Sequence, residues 1–573
     1  MIKLNFFIKW IRFFLLYTLF IISTTGNLNA DDKQLDFTSS NLPIIVINTH
    51  GQEIPYDDPR IVADMGIIYN GKGQRNNITD PFNNYDGKIS IEIRGSSSAG
   101  WAKKSYGLET QNEDGSNRNV SLLGFPEEND WVLYAPYYDR SFLRNVLSFK
   151  LANDMGWYAT RTKYCELVLN GEYQGIYVLM EKIKRDKNRV DIAKLDPDEI
   201  SGDDLTGGYI IKIDKEPWRP GFDSKYEPFS GAWQKIRYQY HYPKAKNIVP
   251  QQEEYIRNFI TEFEDVMNSD YYADAEIGYA SYLNVESFVD HFILNELSKN
   301  VDAYRLSTYF YKDKDSKDGR LVAGPAWDFN FSFGNVGYYD AHLIFNWQLE
   351  FLTEDDNFRA EDRYQVPFWW KKLFNDLNFR TKIHDRWFEL RNDKLDIGNL
   401  NQFIDSVADT LNEAQERNFQ IWIGPGDPKL PEDGWFPPSF PIDDLETYAD
   451  EIEYLKYWMT NRIYWMDQKI STFTDVSLKG RKTLPANFDL KQNHPNPFNS
   501  YTLIEFYLPT SEFIELRIIN ERGETVKTIV KKFYTKGSHQ IKFDSNNLVS
   551  GIYFYKLKNT SGEQIVKKML LIK

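Results

Sequence analysis

The sequence predicts an α+β protein with a separate all-β unit at its end. Through the first half, apolar residues alternate with polar ones or run in short blocks closed by Gly, Asn and Asp, the pattern of strands. From about residue 250 the apolar residues recur at helical spacing. The last ~85 residues return to short strands separated at regular intervals by turn clusters.

Element by element, Leu42–Asn48 and Lys88–Ile93 read as strands. Glu166–Leu169 and Gly175–Met180 read as a hairpin around Asn170-Gly171, a strong two-residue turn signal. Between them, Asp139–Met155 has helical spacing, with Phe142, Leu143, Val146, Leu147, Phe149 and Leu151 on one face and Gly156 as its stop. Helices are then expected over Gln252–Met267, Val285–Ser298, Phe368–Arg391, Leu400–Arg417 and Asp443–Ile470, the last after a proline-rich stretch from Gly424 to Pro441. A strand-rich lobe followed by a helix-rich lobe favours a cleft between the two. Residues 471–488 read as a linker. Thr502–Leu508, Ile514–Ile519, Thr525–Val530, Gln540–Phe543, Gly551–Leu557 and Gln564–Ile572 read as the strands of a small immunoglobulin-like sandwich spanning 489–573.

Composition narrows the class. At 573 residues, 42% hydrophobic and 16% aromatic, the chain can build more than one packed core and is not globally disordered. A formal charge of −15 argues against a nucleic-acid partner. The stretch from Lys491 onward is net basic, so the acidity belongs to the body. Cys165, the one cysteine, excludes an intrachain disulfide and sits in an apolar run that reads as strand. Lys3, Lys9 and Arg12 flank an apolar core from Phe13 to Ile22, and a polar run ends at Ala30; this reads as a secretory signal peptide over 1–30. No later segment is apolar enough to cross a bilayer.

The residues that could carry chemistry fall in four places. Arg94-Gly95-Ser96-Ser97-Ser98-Ala99-Gly100 links a strand to a returning segment with Lys103 and Lys104. Small residues in such a turn let backbone N–H groups approach a phosphate, though a plain hairpin tip fits the same residues. Glu181 ends a strand and could orient Lys104, or belong to the charged run that follows it. Asp302 follows a helix, near Arg305. Asp328 lies in the apolar run Gly324-Pro325-Ala326-Trp327-Asp328-Phe329-Asn330. Two carboxylates so presented can hold a divalent metal; each alone could also be a surface ion pair or a turn aspartate. The histidines His241, His291, His342 and His384 lack metal-ligand spacing and no Gly-x-Ser-x-Gly elbow occurs, which weighs against zinc and serine chemistry. The acidic, aromatic-rich body leaves glycoside hydrolysis open.

Taken in order, these segments resemble the CotH kinase family. The resemblance rests on Ile93-Arg94-Gly95-Ser96-Ser97 with Lys103-Lys104-Ser105-Tyr106; Trp131-Val132-Leu133-Tyr134-Ala135 and Leu143-Arg144-Asn145; and Leu169-Asn170-Gly171-Glu172-Tyr173-Gln174-Gly175-Ile176-Tyr177 with Glu181. Gly207-Gly208-Tyr209, Asn295-Glu296, Asn300-Val301-Asp302 and the Asp328 run complete it. It implies a two-lobed atypical protein-kinase-like domain over 31–470 that uses ATP and Mg²⁺ to phosphorylate Ser/Thr of an extracellular or surface protein substrate. By the same resemblance Asp302 is catalytic, Arg94, Ser96, Lys104 and Glu181 serve the nucleotide, and Asp328 and Asn330 hold the metal. Asn330 replaces the second aspartate of many members and Ser307 stands five residues past Asp302, where ordinary protein kinases carry asparagine. Both departures support an alternative, a weakly active or inactive kinase-like surface-binding protein. The tail, through Gln492-Asn493-His494-Pro495-Asn496-Pro497-Phe498-Asn499, Leu548-Val549-Ser550-Gly551-Ile552-Tyr553-Phe554-Tyr555 and Lys567–Lys573, resembles the sorting domain of type IX secretion. That implies the type IX machinery as partner and a secreted or cell-surface destination, reached through the periplasm.

Overall fold

The computed structural model describes residues 36–425, 445–474, 488–509, 512–534, 537–545, 548–559 and 562–572. The expected signal peptide over 1–30 and most of the expected linker over 471–488 lie outside the described residues.

The fold is α+β with an all-β C-terminal region. Seven strands of the first half close into a barrel: β1 Ile44–Asn48, β2 Ile61–Ile68, β3 Tyr85–Arg94, β4 Ser105–Gln111, β5 Asp130–Tyr134, β6 Thr162–Leu169 and β7 Glu172–Glu181. The spatial order is β1-β2-β3-β4-β5-β7-β6, and β6 returns parallel to β1. Asn170 and Gly171 turn β6 into β7 with φ of 52° and 85°, both left-handed, as a tight hairpin needs. Alternation explains why β7 is apolar on both faces. Tyr177 and Leu179 fill the barrel with Ile91, Leu108, Trp131 and Leu167, whereas Ile176, Val178 and Met180 face the helical core. Cys165 is a fully buried barrel residue, as its strand pattern suggests.

A second, antiparallel sheet follows: β8 Tyr209–Ile213, β9 Gly221–Asp223, β10 Arg237–Tyr242, β11 Thr308–Lys312 and β12 Leu321–Ala323, in the order β9-β10-β8-β11-β12. Its last two strands lie inside the stretch that reads as mainly helical, so the division into a strand half and a helix half is not strict. Among the described residues, the helices of eight residues or more are α1 Arg144–Asp154, α2 Pro250–Asn268, α3 Val285–Ser298, α4 Phe368–Asn375, α5 Leu377–Arg391, α6 Ile397–Asn418 and α7 Tyr448–Ile470. Two expectations are corrected. The helix expected from Asp139 starts at Arg144, because the buried Asp139 carboxylate accepts from Ser141 N–H, Ser141 Oγ and Arg144 N–H and holds the preceding turn. The single helix expected over 368–391 is broken at Asp376, whose side chain caps α5 by accepting from Phe379 N–H at 3.0 Å.

α6 docks end-on against the barrel. Gly175 has φ of 85°, and a Cβ there would lie 2.4 Å from Asn418 Oδ1, so only glycine allows the approach. That oxygen accepts from Ile176 N–H and from Lys103 Nζ at 2.8 Å.

In the tail, strands at 489–490, 501–508 and 537–544 form one sheet and those at 512–519, 525–534, 551–559 and 564–571 a second. Ile504, Phe506, Leu516, Tyr555 and Met569 share the core between them. Residues of the tail motif serve this fold: Asn493 N–H donates to Tyr555 OH, and Tyr555 OH donates to the Lys491 carbonyl at 2.7 Å.

Candidate functional site

The two aspartate runs meet because the chain turns sharply after each hydrophobic element. α3 ends at Lys299, which adopts φ of 46°, a left-handed cap, and redirects the chain through Asn300-Val301-Asp302. β12 leads into Gly324–Asn330, where Asp328 has φ of 65°. Backbone bonds then join the two loops: Val301 N–H donates to Phe331 C=O, and Phe333 N–H to Ser298 C=O at 2.6 Å. Asn145 on α1 fixes the second loop from below, its Oδ1 accepting from Phe329 N–H at 2.6 Å.

The loops open onto a cavity of about 310 Å³ whose other walls are β3 with the turn after it, β5, the end of β7 and the end of β8. Asp302, Asp328 and Asn330 line it, as do Arg94 and Ser96. Asp328 is open to this space, and among the described residues no hydrogen bond or ion pair engages its carboxylate. Loss of hydration in the recess, followed by the charge of Asp302, raises its pKa to about 6; Lys215 and Arg94 oppose that rise. Asp302 is one-fifth exposed and paired with Arg305 at 3.0 Å.

Basic side chains face the two aspartates. The Arg94 guanidinium lies 5.2 Å from the Trp327 ring centre, and loss of hydration lowers its pKa. Lys182 approaches Asp130 at 3.6 Å; its pKa is lowered by loss of hydration, which Asp130 resists. Lys212 pairs with Asp214 at 2.6 Å, and Lys215 donates to Ser97 Oγ at 2.8 Å, tying the end of the second sheet to the serine-rich turn. Cations opposite two carboxylates form a site for a polyanion together with a divalent cation.

Two expected members do not join. Lys104 donates to the Ala99 carbonyl at 2.9 Å, bracing the turn from behind, and is not on the cavity wall. Glu181 is fully buried and bound to Arg161 at 2.8 Å, with Arg189 at 3.7 Å and Tyr158 OH at 3.3 Å. It does not orient Lys104. Lys182, one residue past Glu181, reaches the cavity wall instead, and the lysine–acid pair whose members both line the cavity is Lys212 with Asp214. Asn145 belongs to the Leu143-Arg144-Asn145 motif, yet nothing in the sequence marks it as a site residue. Lys212, Asp214 and Lys215 gave no motif signal, although the alternation after Gly208 marks their strand.

A family model described as CotH kinase protein matches residues 91–466. The chain belongs to the CotH kinase family. A second model, the secretion system C-terminal sorting domain, matches residues 493–573. This CotH-like protein is therefore secreted or displayed at the cell surface, and the sorting domain implies the type IX machinery as its partner. Among the described residues no helix is long and apolar enough to cross a membrane. No curated protein matches the chain. Among solved structures, one similarity is to Pseudomonas fluorescens alkylpurine DNA glycosylase AlkC bound to DNA containing an abasic site analog. It is 10% identical over 39% of this chain and 63% of that one, with a TM-score of 0.12, too low to support any fold argument. CotH membership implies nucleotide use.

Proposed function

We propose that this CotH member is a secreted or cell-surface phosphotransferase that moves the γ-phosphoryl group of ATP to Ser or Thr of an extracellular or surface protein. The observation that carries the reading is the convergence of Asp302, Asp328, Asn330, Arg94 and Lys182 on one cavity. Arg94, Lys182 and Lys215 bind phosphate oxygens, and Ser96 belongs to the turn that closes over them. The donor set fits Mg²⁺: two carboxylates, one with its pKa raised by loss of hydration and then by the charge of the other, with an amide beside them. Asp328 and Asn330 would hold the ion, with Asp302 across from them; bound there, it supplies neutralisation of phosphate charge. As the acceptor hydroxyl oxygen bonds to the γ-phosphorus, the bond from that phosphorus to the bridging oxygen of ADP breaks, and the hydroxyl proton passes to Asp302. The barrel would be one lobe of a kinase-like domain over 31–470 and the helices the other, with the sorting domain (489–573) joined through 471–488.

A second reading, a weakly active or inactive binding protein, rests on Asn330, which offers an oxygen but no charge, and on Ser307 at the cavity wall. Incubation of the full chain with Mg²⁺, ATP and a protein acceptor, read by mass spectrometry, decides between them. Phosphate incorporation that disappears in Asp302→Ala and Asp328→Ala supports transfer. No incorporation, or incorporation unchanged in both variants, selects the binding protein.

A further inference from the structure

We infer that Arg305 is a positioning residue that holds Asp302 in its working orientation, an inference that rests on the phosphotransfer reading above. Its guanidinium is 3% exposed and every part of it is engaged. Nη2 donates to Asp302 Oδ1 at 3.0 Å; Nη1 donates to Asp362 Oδ2 at 3.0 Å and to the Tyr364 carbonyl at 3.1 Å. Nε and Nη2 also reach the Val301 carbonyl, and the rings of Tyr339 and Phe358 lie 5.5 and 5.2 Å away. Asp362 is itself held by Tyr339 OH at 3.0 Å.

The chemistry turns on how these bonds are divided. Among the described residues, Asp302 has no other side-chain partner, so one oxygen is fixed by the fork and Oδ2 is left for the cavity. A lysine, with a point charge on a flexible stem, could match the charge but not the two-sided geometry. The Asp362 side of the fork is anchored in the segment after residue 361, away from the cavity. Arg305 thus transmits the rigidity of that segment to the one carboxylate assigned to the acceptor proton. Its effect should fall on the chemical step and leave nucleotide binding alone.

The test uses the full chain with ATP, Mg²⁺ and dephosphorylated casein as acceptor. Arg305→Met is expected to lower kcat by about 30- to 100-fold while KM for ATP stays within about threefold. Arg305→Lys should recover part of that loss. Asp362→Asn, which loosens the same guanidinium without removing the Asp302 bond, should cost less. In an Asp302→Asn background Arg305→Met should have no further effect, whereas a purely structural staple would give additive losses. Wild-type kcat in Arg305→Met, a proportionate rise in KM, or additivity in the double variant overturns the inference. If the wild type transfers no phosphate, the phosphotransfer reading fails first. A crystal structure of Arg305→Met, or of Arg305→Lys should the former not fold, then decides the positional claim. Asp302 turning from the cavity wall upholds it, and Asp302 unmoved overturns it.

Discussion

Two groups of acidic side chains, both from segments that mark the CotH family, have opposite surroundings. Glu181 and Glu296 are fully buried and fully engaged. Glu181 is bound by Arg161 and Arg189, while Glu296 accepts from Gln348 N–H, Leu349 N–H, Tyr304 OH and Arg462. Asp328 faces the cavity and, among the described residues, no side chain or backbone group engages its carboxylate, while Asp302 gives one oxygen to Arg305. Glu181 braces the barrel against the segment carrying Arg189, and Glu296 ties α3 to α7 and to the turn at Gln348; the second group leaves acceptor capacity for something from outside. A charge whose partners all belong to the protein is scaffold, and a charge left short of partners at a cavity wall is a candidate for ligand.

The sharpest way to break this contrast is to neutralise one member of each group. Asp328→Asn should lower phosphotransfer by ~10³-fold or more, since its charge would be used on the transferring phosphoryl group. Its melting temperature should hold or rise, because repulsion with Asp302 is relieved. Glu181→Ala should do the reverse. It strands Arg189, which is 1% exposed, and should cost about 3–5 kcal/mol in urea unfolding while the residual folded fraction keeps its KM for ATP. If Asp328→Asn destabilises and Glu181→Ala only inactivates, the division between scaffold and site is wrong.

Much of the fold was readable because periodicity reports burial directly. The β6–β7 hairpin, α3 and the tail strands appear within a few residues of their expected limits. Barrel closure was not readable, since it depends on β1 pairing in parallel with β6 more than a hundred residues away. For the site, Asp302, Asp328, Asn330, Arg94 and Ser96, each in a motif legible in the sequence, line one cavity. Lys104 and Glu181 do not, for one reason: motif order carries no information about which way a strand residue points. Ser105 lines the cavity and Lys104 braces its turn from behind; Lys182 lines it and Glu181 sits in the core. A one-residue step along a strand reverses the face.

That reversal supplies a narrower test. Lys182→Met should raise KM for ATP by about tenfold, the loss of one charge-assisted phosphate contact. Lys104→Met should change KM less than about twofold and cost no more than about 1 kcal/mol through its bond to Ala99. Equal effects on KM would return Lys104 to the site and undo the placement of Lys182, rather than Lys104, at the cavity wall.

The smallest expected effect is a proton linkage at Asp328. Asp328 has its folded pKa raised to about 6, chiefly by loss of hydration and then by Asp302. A carboxylate raised in this way binds its proton more tightly in the folded state than in the unfolded one. Between about pH 4 and pH 6 it therefore makes stability fall as pH rises, and the loss is complete above pH 6. Because the carboxylate is open to cavity water, screening should keep the change under about 1 kcal/mol. Urea midpoints of wild type minus Asp328→Asn, without Mg²⁺, isolate it from the other carboxylates: the difference should decline from pH 4 to pH 6 and then stay flat. Mg²⁺ should reverse the decline at pH 7 in the wild type alone, since a cation bound only by the folded state adds stability. A pH-independent difference would mean that the fold does not raise the pKa of Asp328, and the cavity would lose its strongest claim to a metal.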